Sequence, residues 1–229
     1  MILRAIVDRV TLVFVTLASL LCSSAMAEEK TRANIDKPRE QGSSVQMISP
    51  IFSQVVMLSF PKGFKTVSEQ TNANHYLREA VLEGETVHRW SQMITVSGTK
   101  GIATNPNVTA RSWVEGIAAG FKRACPDTFA ATGLGATKIS GHDAFVALAS
   151  CGTVQSSASK HGETALLVII QGTADYYSIQ WAEREAASSR PMTFDQAEWT
   201  DRFNKLGPIK VCPRVSGEAA PYPSCINQK

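Results

Sequence analysis

The segment ETALLVIIQGTADYYSIQWAE, residues 163–183, decides the fold of this chain. Residues 165–170 are apolar at every position, which predicts a strand that is buried on both faces at the centre of a sheet. Residues 171–174 have the composition of a hairpin turn. Residues 175–183 then alternate as a second strand, whose core-facing side chains are predicted to be Tyr177, Ile179 and Trp181. An antiparallel hairpin is therefore expected at the middle of the domain.

Further strands are predicted on both sides of this hairpin from runs of alternating or apolar residues bounded by Gly and Pro. They are Ser53–Phe60, Phe64–Glu69, His75–Leu82, Trp90–Ser97, Ala144–Ser150 and Ile209–Cys212. The glycine-rich stretch 132–135 is interpreted as a turn, because it lacks the Lys and the helix start of a phosphate-binding loop.

Two helices are predicted to cover this sheet. The first, residues 108–124, follows a cap at Asn105-Pro106, and the second begins with a capping box of Thr193 and Gln196. Their apolar stripes are Trp113, Ile117, Phe121 and Ala124, and Trp199, Phe203 and Leu206. The expected fold class is α+β, an α/β/α sandwich with a mainly antiparallel sheet covered by two principal helices.

Length and charge point to one ordinary globular domain, predicted at residues 46–212. Of the 229 residues, 44% are hydrophobic and 19% are charged. The 23 Lys and Arg residues are dispersed among 20 Asp and Glu residues, so no nucleic-acid partner is expected.

Residues 1–27 have the pattern of a secretory signal peptide. Arg4 and Arg9 precede the apolar run 10–21, and cleavage is predicted after Ala27. Residues 28–45 are expected to be a flexible lead-in, and no transmembrane span is expected after cleavage. The predicted location is periplasmic or secreted; an uncleaved anchor and a lipoprotein acylated at Cys22 are the alternatives.

Four cysteines remain in the mature chain, and an even count in an exported protein favours disulfide bonds. Three pairings are open, of which proximity favours Cys125–Cys151 and Cys212–Cys225. The second bridge would staple the Pro-rich tail, residues 213–229, to the domain. A zinc site would need closer cysteine pairs or matched histidines, so no metal is expected.

No catalytic constellation is evident in the sequence, and no cofactor is expected. The four histidines are scattered, and the nucleophile elbow of hydrolases is missing. The alternative is a hydrolase with an unrecognised site at Asp175, Glu183 or His161; a carboxylate pair among Asp175, Glu183 and Glu185 beside aromatic residues would suit carbohydrate cleavage.

Several segments resemble exported bacterial proteins with the fold of the photosystem II extrinsic protein PsbP and of DcrB-like proteins. The resembling segments are residues 58–64, 76–79, 84–86, 90–95 and 176–181, within a likeness that spans roughly residues 50–212. The resemblance implies an α/β/α sandwich and an exported accessory or binding protein rather than an enzyme.

These observations predict a non-catalytic envelope protein that binds an unidentified envelope protein or small ligand. Its binding surface is expected on the part of the sheet that the two helices leave uncovered. The residues predicted for that surface are His75, Tyr76, Arg78 and Tyr176.

Overall fold

The computed structural model describes residues 40–41, 44–154 and 160–228, which form two antiparallel sheets and three α-helices. The predicted signal peptide, Cys22 and most of the predicted lead-in lie outside the described residues. The strands are β1 (Glu40–Gln41), β2 (Ser44–Ile51), β3 (Gln54–Pro61), β4 (Phe64–Thr71), β5 (His75–Leu82), β6 (Gln92–Thr99), β7 (Phe129–Ile139), β8 (His142–Cys151), β9 (His161–Gln171), β10 (Tyr176–Ala186) and β11 (Lys210–Pro213). The helices are α1 (Ala110–Ala124), α2 (Gln196–Lys205) and α3 (Pro223–Ile226).

The larger sheet has seven strands in the order β4-β5-β6-β10-β9-β8-β7, and the smaller has the order β1-β2-β3-β11. Every ladder between the described strands is antiparallel. The α+β class with a mainly antiparallel sheet is confirmed.

The β9–β10 hairpin lies at the centre of the larger sheet, as the sequence predicts. β9 is buried from His161 to Ile170, with β8 on one side and β10 on the other. The Gly172 N–H donates to the Asp175 carbonyl at 2.9 Å and closes the turn. A Cβ atom at Gly172 would lie 2.2 Å from the Gln54 side chain, so the turn requires glycine where β3 passes it.

One face of the larger sheet is covered by α1, which packs on β7, β8 and β9. Thr109 caps this helix: its hydroxyl accepts from the Ser112 N–H while the Ser112 hydroxyl accepts from the Thr109 N–H. The predicted cap at Asn105-Pro106 is therefore wrong, because those residues form a separate turn in which Val108 donates to the Asn105 carbonyl. Phe121 is 1% exposed beneath the helix.

The opposite face is covered by the smaller sheet together with α2. Met47, Ile51 and Val56 of the smaller sheet share a core with Trp199 and Leu206. Because β1 begins at Glu40 and β2 at Ser44, the smaller sheet starts within the segment predicted as a lead-in. The fold therefore has three layers: α1, the larger sheet, and a layer that contains the smaller sheet and α2. The sequence predicts the two helices but not the smaller sheet beside α2.

The cap of α2 also differs from the prediction. Asp195 is the N-cap, and its carboxylate accepts from the N–H groups of Ala197 and Glu198. Thr193 lies two residues earlier in the chain, so the predicted capping box with Gln196 is wrong. The apolar stripe is correct in register: Trp199 is buried and Phe203 is half-buried against the same core.

Both predicted disulfides are present. Cys125–Cys151 joins the end of α1 to the end of β8 with Cα atoms 5.6 Å apart. Cys212–Cys225 joins β11 to α3 with Cα atoms 5.5 Å apart and fastens the Pro-rich tail. The Lys210 ammonium also holds this tail, donating to the carbonyl of Ile226 at 2.9 Å.

The glycine-rich stretch 132–135 is part of a strand and not the predicted turn. β7 pairs along β8 on both sides of it, and the register shifts between Gly133 and Gly135. This shift is a β-bulge, and Gly135 supplies its positive φ of 135°. A bulge puts glycines inside a strand, which explains why composition indicated a turn.

Candidate functional site

Part of the α1-bearing face of the larger sheet carries no described helix. A helix with its side chains is about 10 Å across and strands are about 4.8 Å apart, so one helix covers roughly three strands. α1 takes β7, β8 and β9. The adjacent area on β10, β6 and β5 is the helix-free strip, which consists of Leu77, Glu79, Val81, Met93, Thr95, Ser97, Ser178, Gln180 and Ala182.

The strand register arranges this strip in three rows across the sheet. Glu79 pairs with Thr95, which pairs with Gln180, so a polar row crosses the middle. On one side lies an apolar row of Val81, Met93 and Ala182, and on the other a half-exposed row of Leu77, Ser97 and Ser178. The strip is therefore amphipathic, and it is exposed mainly along the row of Leu77, Ser97 and Ser178, because Val81, Met93, Thr95 and Ala182 are 0–5% exposed.

Glu79 is the charged member of the polar row. It is 7% exposed, and its Oε2 atom has no hydrogen-bond partner. No ion pair to Glu79 is found among the described residues, whereas Glu163 and Glu183 have ion-pair partners and Asp175 accepts hydrogen bonds. A buried carboxylate oxygen without a donor is costly, so Glu79 is suited to receive one from a bound molecule.

A second polar group closes one end of the strip. The Arg184 guanidinium lies 3.7 Å from the ring centroid of Trp90, and its Nε atom is 3.6 Å from Glu163 Oε2. His161 Nε2 also lies 3.6 Å from that oxygen. Burial raises the pKa of Glu163, but the opposing interactions, those with His161 and Arg184 among them, hold this pKa below its usual range. Glu163, His161 and Arg184 are therefore partners of one another, and they form one wall of the strip.

The opposite end of the strip is bounded by aromatic residues. The Tyr176 ring stacks on Trp113 of α1, with centroids 5.1 Å apart, and its hydroxyl donates to the Val108 carbonyl at 2.9 Å. Tyr176 is 1% exposed, so it supports this boundary from inside. Burial raises the pKa of its hydroxyl.

Of the four residues predicted as a binding surface, only His75 is exposed, at the start of β5. Tyr76 and Arg78 are buried on the opposite face of the sheet, where both donate to Glu69 at 2.9 Å. Burial raises the pKa of the Tyr76 hydroxyl. The predicted surface is therefore wrong for Tyr76 and Arg78, which alternate onto the opposite face of β5. It is wrong for Tyr176 because the stack with Trp113 buries that ring.

Asp175, proposed above as one acid of a hydrolase, serves a structural purpose. Its carboxylate accepts from the Ser53 N–H at 3.0 Å, the Ser53 hydroxyl at 2.5 Å and the Gly101 N–H at 2.8 Å. Burial would raise the pKa of Asp175, but these bonds and the Tyr177 hydroxyl lower it overall. A carboxylate so fully occupied by donors is a poor proton acceptor.

The other hydrolase candidates do not converge with Asp175. Glu183 faces the α2 side, where Arg202 donates to it at 2.6 Å, and His161 lies on the α1 side. Asp175 and Glu183 are eight positions apart along one extended segment, or about 26 Å, whereas glycosidase carboxylates lie about 5–10 Å apart. Asp175 and Glu183 therefore do not form the carboxylate pair of the hydrolase alternative. Burial, Glu183 and Glu198 together raise the pKa of Glu185.

The described residues contain no group of three or more His, Cys, Asp or Glu side chains that could hold a metal ion. Within the same residues, no helix has the length and apolar character needed to cross a bilayer.

Sequence reasoning missed Glu79, Thr95 and Gln180. The available signal was Glu79 itself, which lies between Leu77 and Val81 at the spacing of one strand face. A charged residue inside an apolar stripe is unusual in a core-facing position.

Comparison with solved structures finds distant similarity. A protein from Bacteroides thetaiotaomicron matches with a TM-score of 0.42 and 12% identity over 77% of this chain, and the chain spans about half of that structure, 51%. The Saccharomyces cerevisiae Ran-binding protein Mog1p matches with a TM-score of 0.39 and 13% identity, over 72% of this chain and 85% of Mog1p. A point mutant of Mog1 matches similarly, at 0.39 and 13%, over 70% and 84%.

No protein-family model matches the chain, and no curated protein matches it by sequence.

Proposed function

We propose that the chain is an exported, non-catalytic binding module that binds its ligand or partner at the half-exposed row of the helix-free strip, Leu77, Ser97 and Ser178. The observation that carries the proposal is Glu79, a buried carboxylate whose Oε2 has no hydrogen-bond partner, directly beside this row on the sheet face that carries α1. A polar group in this position has no evident purpose in packing, since an apolar residue there would be less costly.

Export is supported by two independent features. The first is the secretory pattern of residues 1–27, and the second is the pair of disulfide bonds, which persist in oxidising compartments. The proposed location is the periplasm or the exterior. Tethering through Cys22 remains the alternative; the intact mass of the exported protein decides it, since cleavage after Ala27 gives an N-terminus at Glu28.

The resemblance to PsbP-like and DcrB-like exported proteins agrees with an accessory or binding role. In this proposal α1 and α2 correspond to the helical layers on the two faces of their α/β/α sandwich. Among the described residues, no helix lies on the strip beside α1.

The test is site-specific photocrosslinking in the envelope. A photoreactive residue is placed at Ser97 or Ser178, which are half-exposed on the strip, and at Val215, which is 52% exposed on the stapled tail, as the control. We expect discrete adducts from Ser97 and Ser178 that weaken with Glu79→Lys, and none from Val215. Identical adducts at all three positions, or none at the strip, would contradict the proposal.

A further inference from the structure

The outer edge of β7 is a free edge of the larger sheet. β7 is the last strand in the sheet order and pairs with β8 on its inner side. Within the part of the chain that the structure describes, no turn or loop exchanges a backbone hydrogen bond with β7. A strand of 11 residues therefore presents unpaired backbone groups to solvent. Its exposed residues are Ala131, Thr132, Gly133, Ala136, Thr137 and Lys138.

The other sheet edges are less suited to receive a strand. β4, the opposite edge of the larger sheet, carries the charged side chains of Lys65 and Glu69. In the smaller sheet, β1 has two residues, and β11 has four and ends at Pro213. Charges, proline and short length are the usual means by which proteins block strand addition. Residues 129–137 of β7 contain no charged residue and no proline, so β7 is the edge that is open to another strand.

The turn between β7 and β8 determines which backbone groups of β7 face outward. Ser140 and Gly141 form this turn, and both have a positive φ, of 50° and 80°. In such a two-residue hairpin the residues that flank the turn exchange hydrogen bonds, and bonded pairs then alternate along the ladder. Ile139 therefore bonds to β8, whereas the N–H and C=O groups of Ala136 and Lys138 point away from the sheet.

An open pocket of about 260 Å³ lies beside this end of β7. Its lining includes Ile139 of β7, Phe203 and Asn204 of α2, and Ile209. Ile139, Phe203 and Ile209 share a core, so the pocket has an apolar side. In a strand added along β7, every second side chain would lie on the same face of the sheet as Ile139. One of these side chains would therefore be directed toward the pocket.

A second copy of this chain does not suit the pocket. Between the bulge and the turn, the β7 residues on the pocket face are Gly135, Thr137 and Ile139. Ile139 is 7% exposed and is held in the core of its own chain. Two paired β7 strands would thus bring only Gly135 and Thr137 to the pocket, and neither supplies a large apolar group. A partner with a large apolar side chain at this position fits better.

From these contacts we infer that β7 binds an extended segment of a partner protein. The segment adds to the sheet as a further strand along residues 135–139, and it places one large apolar side chain in the pocket between β7 and α2. Backbone hydrogen bonds supply affinity in this mode of binding, and the pocket supplies selectivity. The site is separate from the helix-free strip, so the inference goes beyond the proposed function.

The inference is tested with fluorescein-labelled peptides of nine residues in which Thr alternates with Val. The central residue is Phe in one peptide and Ser in a second, and both place it on the face of the Val residues. Two further Phe peptides carry N-methyl groups on one or the other alternate set of amides. Their affinities for the disulfide-bonded protein are measured by fluorescence anisotropy.

Three variants accompany the wild type. Ala136→Pro removes an outward N–H without taking a bond from β8, as proline on an edge strand allows, and Ala136→Ser is its matched control because it keeps the N–H. Asn204→Trp fills the pocket from the exposed side of α2.

We expect the wild type and Ala136→Ser to bind the Phe peptide at least tenfold more tightly than the Ser peptide. Ala136→Pro should weaken binding of both peptides at least tenfold, and Asn204→Trp should abolish only the preference for Phe. One N-methylated peptide should bind and the other should not, because only alternate amides face β7. A variant that does not fold is recognised by circular dichroism, and the conclusion then rests on the N-methylated peptides.

Equal binding of the Phe and Ser peptides by the wild type, or binding of neither, overturns the inference. Equal binding of the two N-methylated peptides also overturns it, because strand addition requires one alternate set of amides. A dimer in sedimentation equilibrium that Ala136→Pro dissociates would identify a second copy of the chain as the occupant and would overturn the inference as well.

Discussion

Asp175 accepts two hydrogen bonds from Ser53, one from its backbone N–H and one from its hydroxyl, across 122 positions of the chain. The same carboxylate accepts from the Gly101 N–H, so it ties the β2–β3 turn and the segment after β6 to the start of β10. One side chain thus joins the smaller sheet to the larger one.

Replacing this carboxylate should destabilise the protein in a pH-dependent manner. Asp175→Asn leaves donors facing an amide N–H, and we expect it to lower the free energy of unfolding by about 2 kcal/mol at pH 7. The native pKa of Asp175 lies below its usual value, so its stabilisation is present above the unfolded pKa of about 3.9 and is lost as pH falls through the native pKa.

The measurement is urea unfolding of the wild type and Asp175→Asn between pH 7 and pH 3. The difference between them should be constant down to about pH 5 and narrow below about pH 4. The control is Asp143→Asn, whose exposed ion pair with Lys138 predicts a change within about 0.5 kcal/mol. A difference that grows on acidification would contradict the prediction.

The two disulfides should have different structural consequences when removed. Their separations of 26 and 13 residues predict losses of about 3.5 and 3 kcal/mol for Cys125→Ser/Cys151→Ser and Cys212→Ser/Cys225→Ser. Hydrogen exchange should show loosening limited to residues 214–228 in the second variant, because Cys225 packs in a separate small cluster with Val55 and Met57. Faster hydrogen exchange throughout β9 in that variant would show that the cluster around Cys225 is not separate from the main core.

The two helices should respond unequally to truncation of a phenylalanine. Phe121 is 1% exposed, so Phe121→Ala should cost about 3–5 kcal/mol through cavity formation. Phe203 is half-buried and its removal opens toward water, so Phe203→Ala should cost about 1–2 kcal/mol. Chemical denaturation of both variants measures this; equal losses would show that α2 packs more deeply than described.

Two glycines should give opposite results on conversion to alanine. Gly116 lies exposed within α1 and a Cβ there meets no atom within 4 Å, so Gly116→Ala should stabilise by about 0.5–1 kcal/mol. A Cβ at Gly152 would lie 2.1 Å from the Arg190 carbonyl oxygen, and Gly152→Ala should destabilise by at least about 2 kcal/mol. Melting temperatures of the pair test both signs, and a stable Gly152→Ala would contradict the close approach.

The central hairpin and both disulfides were predictable because their signals are local. A fully apolar run such as 165–170 indicates a central strand that is buried on both faces. Four cysteines that form two pairs close in sequence favour the two short disulfide bonds. Helix stripes were equally readable, since Trp199 and Phe121 fall at the same spacing in sequence and structure.

The smaller sheet and the helix caps were not predictable in the same way. β2 contains Pro50 and several polar residues, and it is a strand because β3 lies beside it. Thr109 and Asp195 cap the two helices, but the nearby residues Asn105 and Thr193 have the same capping chemistry, so the sequence does not distinguish between them.

The candidate site was the least predictable part. Tyr76 and Glu79 lie three positions apart on β5 and therefore on opposite faces, but which face α1 covers is set by the order of seven strands. Composition alone does not specify the face, so the sequence predicts the aromatic Tyr76 at the surface and does not predict the position of Glu79.

Glu79 is expected to lower the free energy of unfolding of the unbound protein. An uncompensated, 7% exposed carboxylate destabilises the unbound protein, so Glu79→Gln and the apolar Glu79→Leu should each raise the free energy of unfolding by about 1–2 kcal/mol. Glu163→Gln is the matched control on the same face, and it should instead destabilise the protein, because Glu163 holds Arg184 and His161. Chemical denaturation of the three variants at pH 7 measures these opposite signs. If Glu79→Gln were as destabilising as Glu163→Gln, Glu79 would be part of the packing of the free protein, and the helix-free strip would lose its reason for carrying a charge.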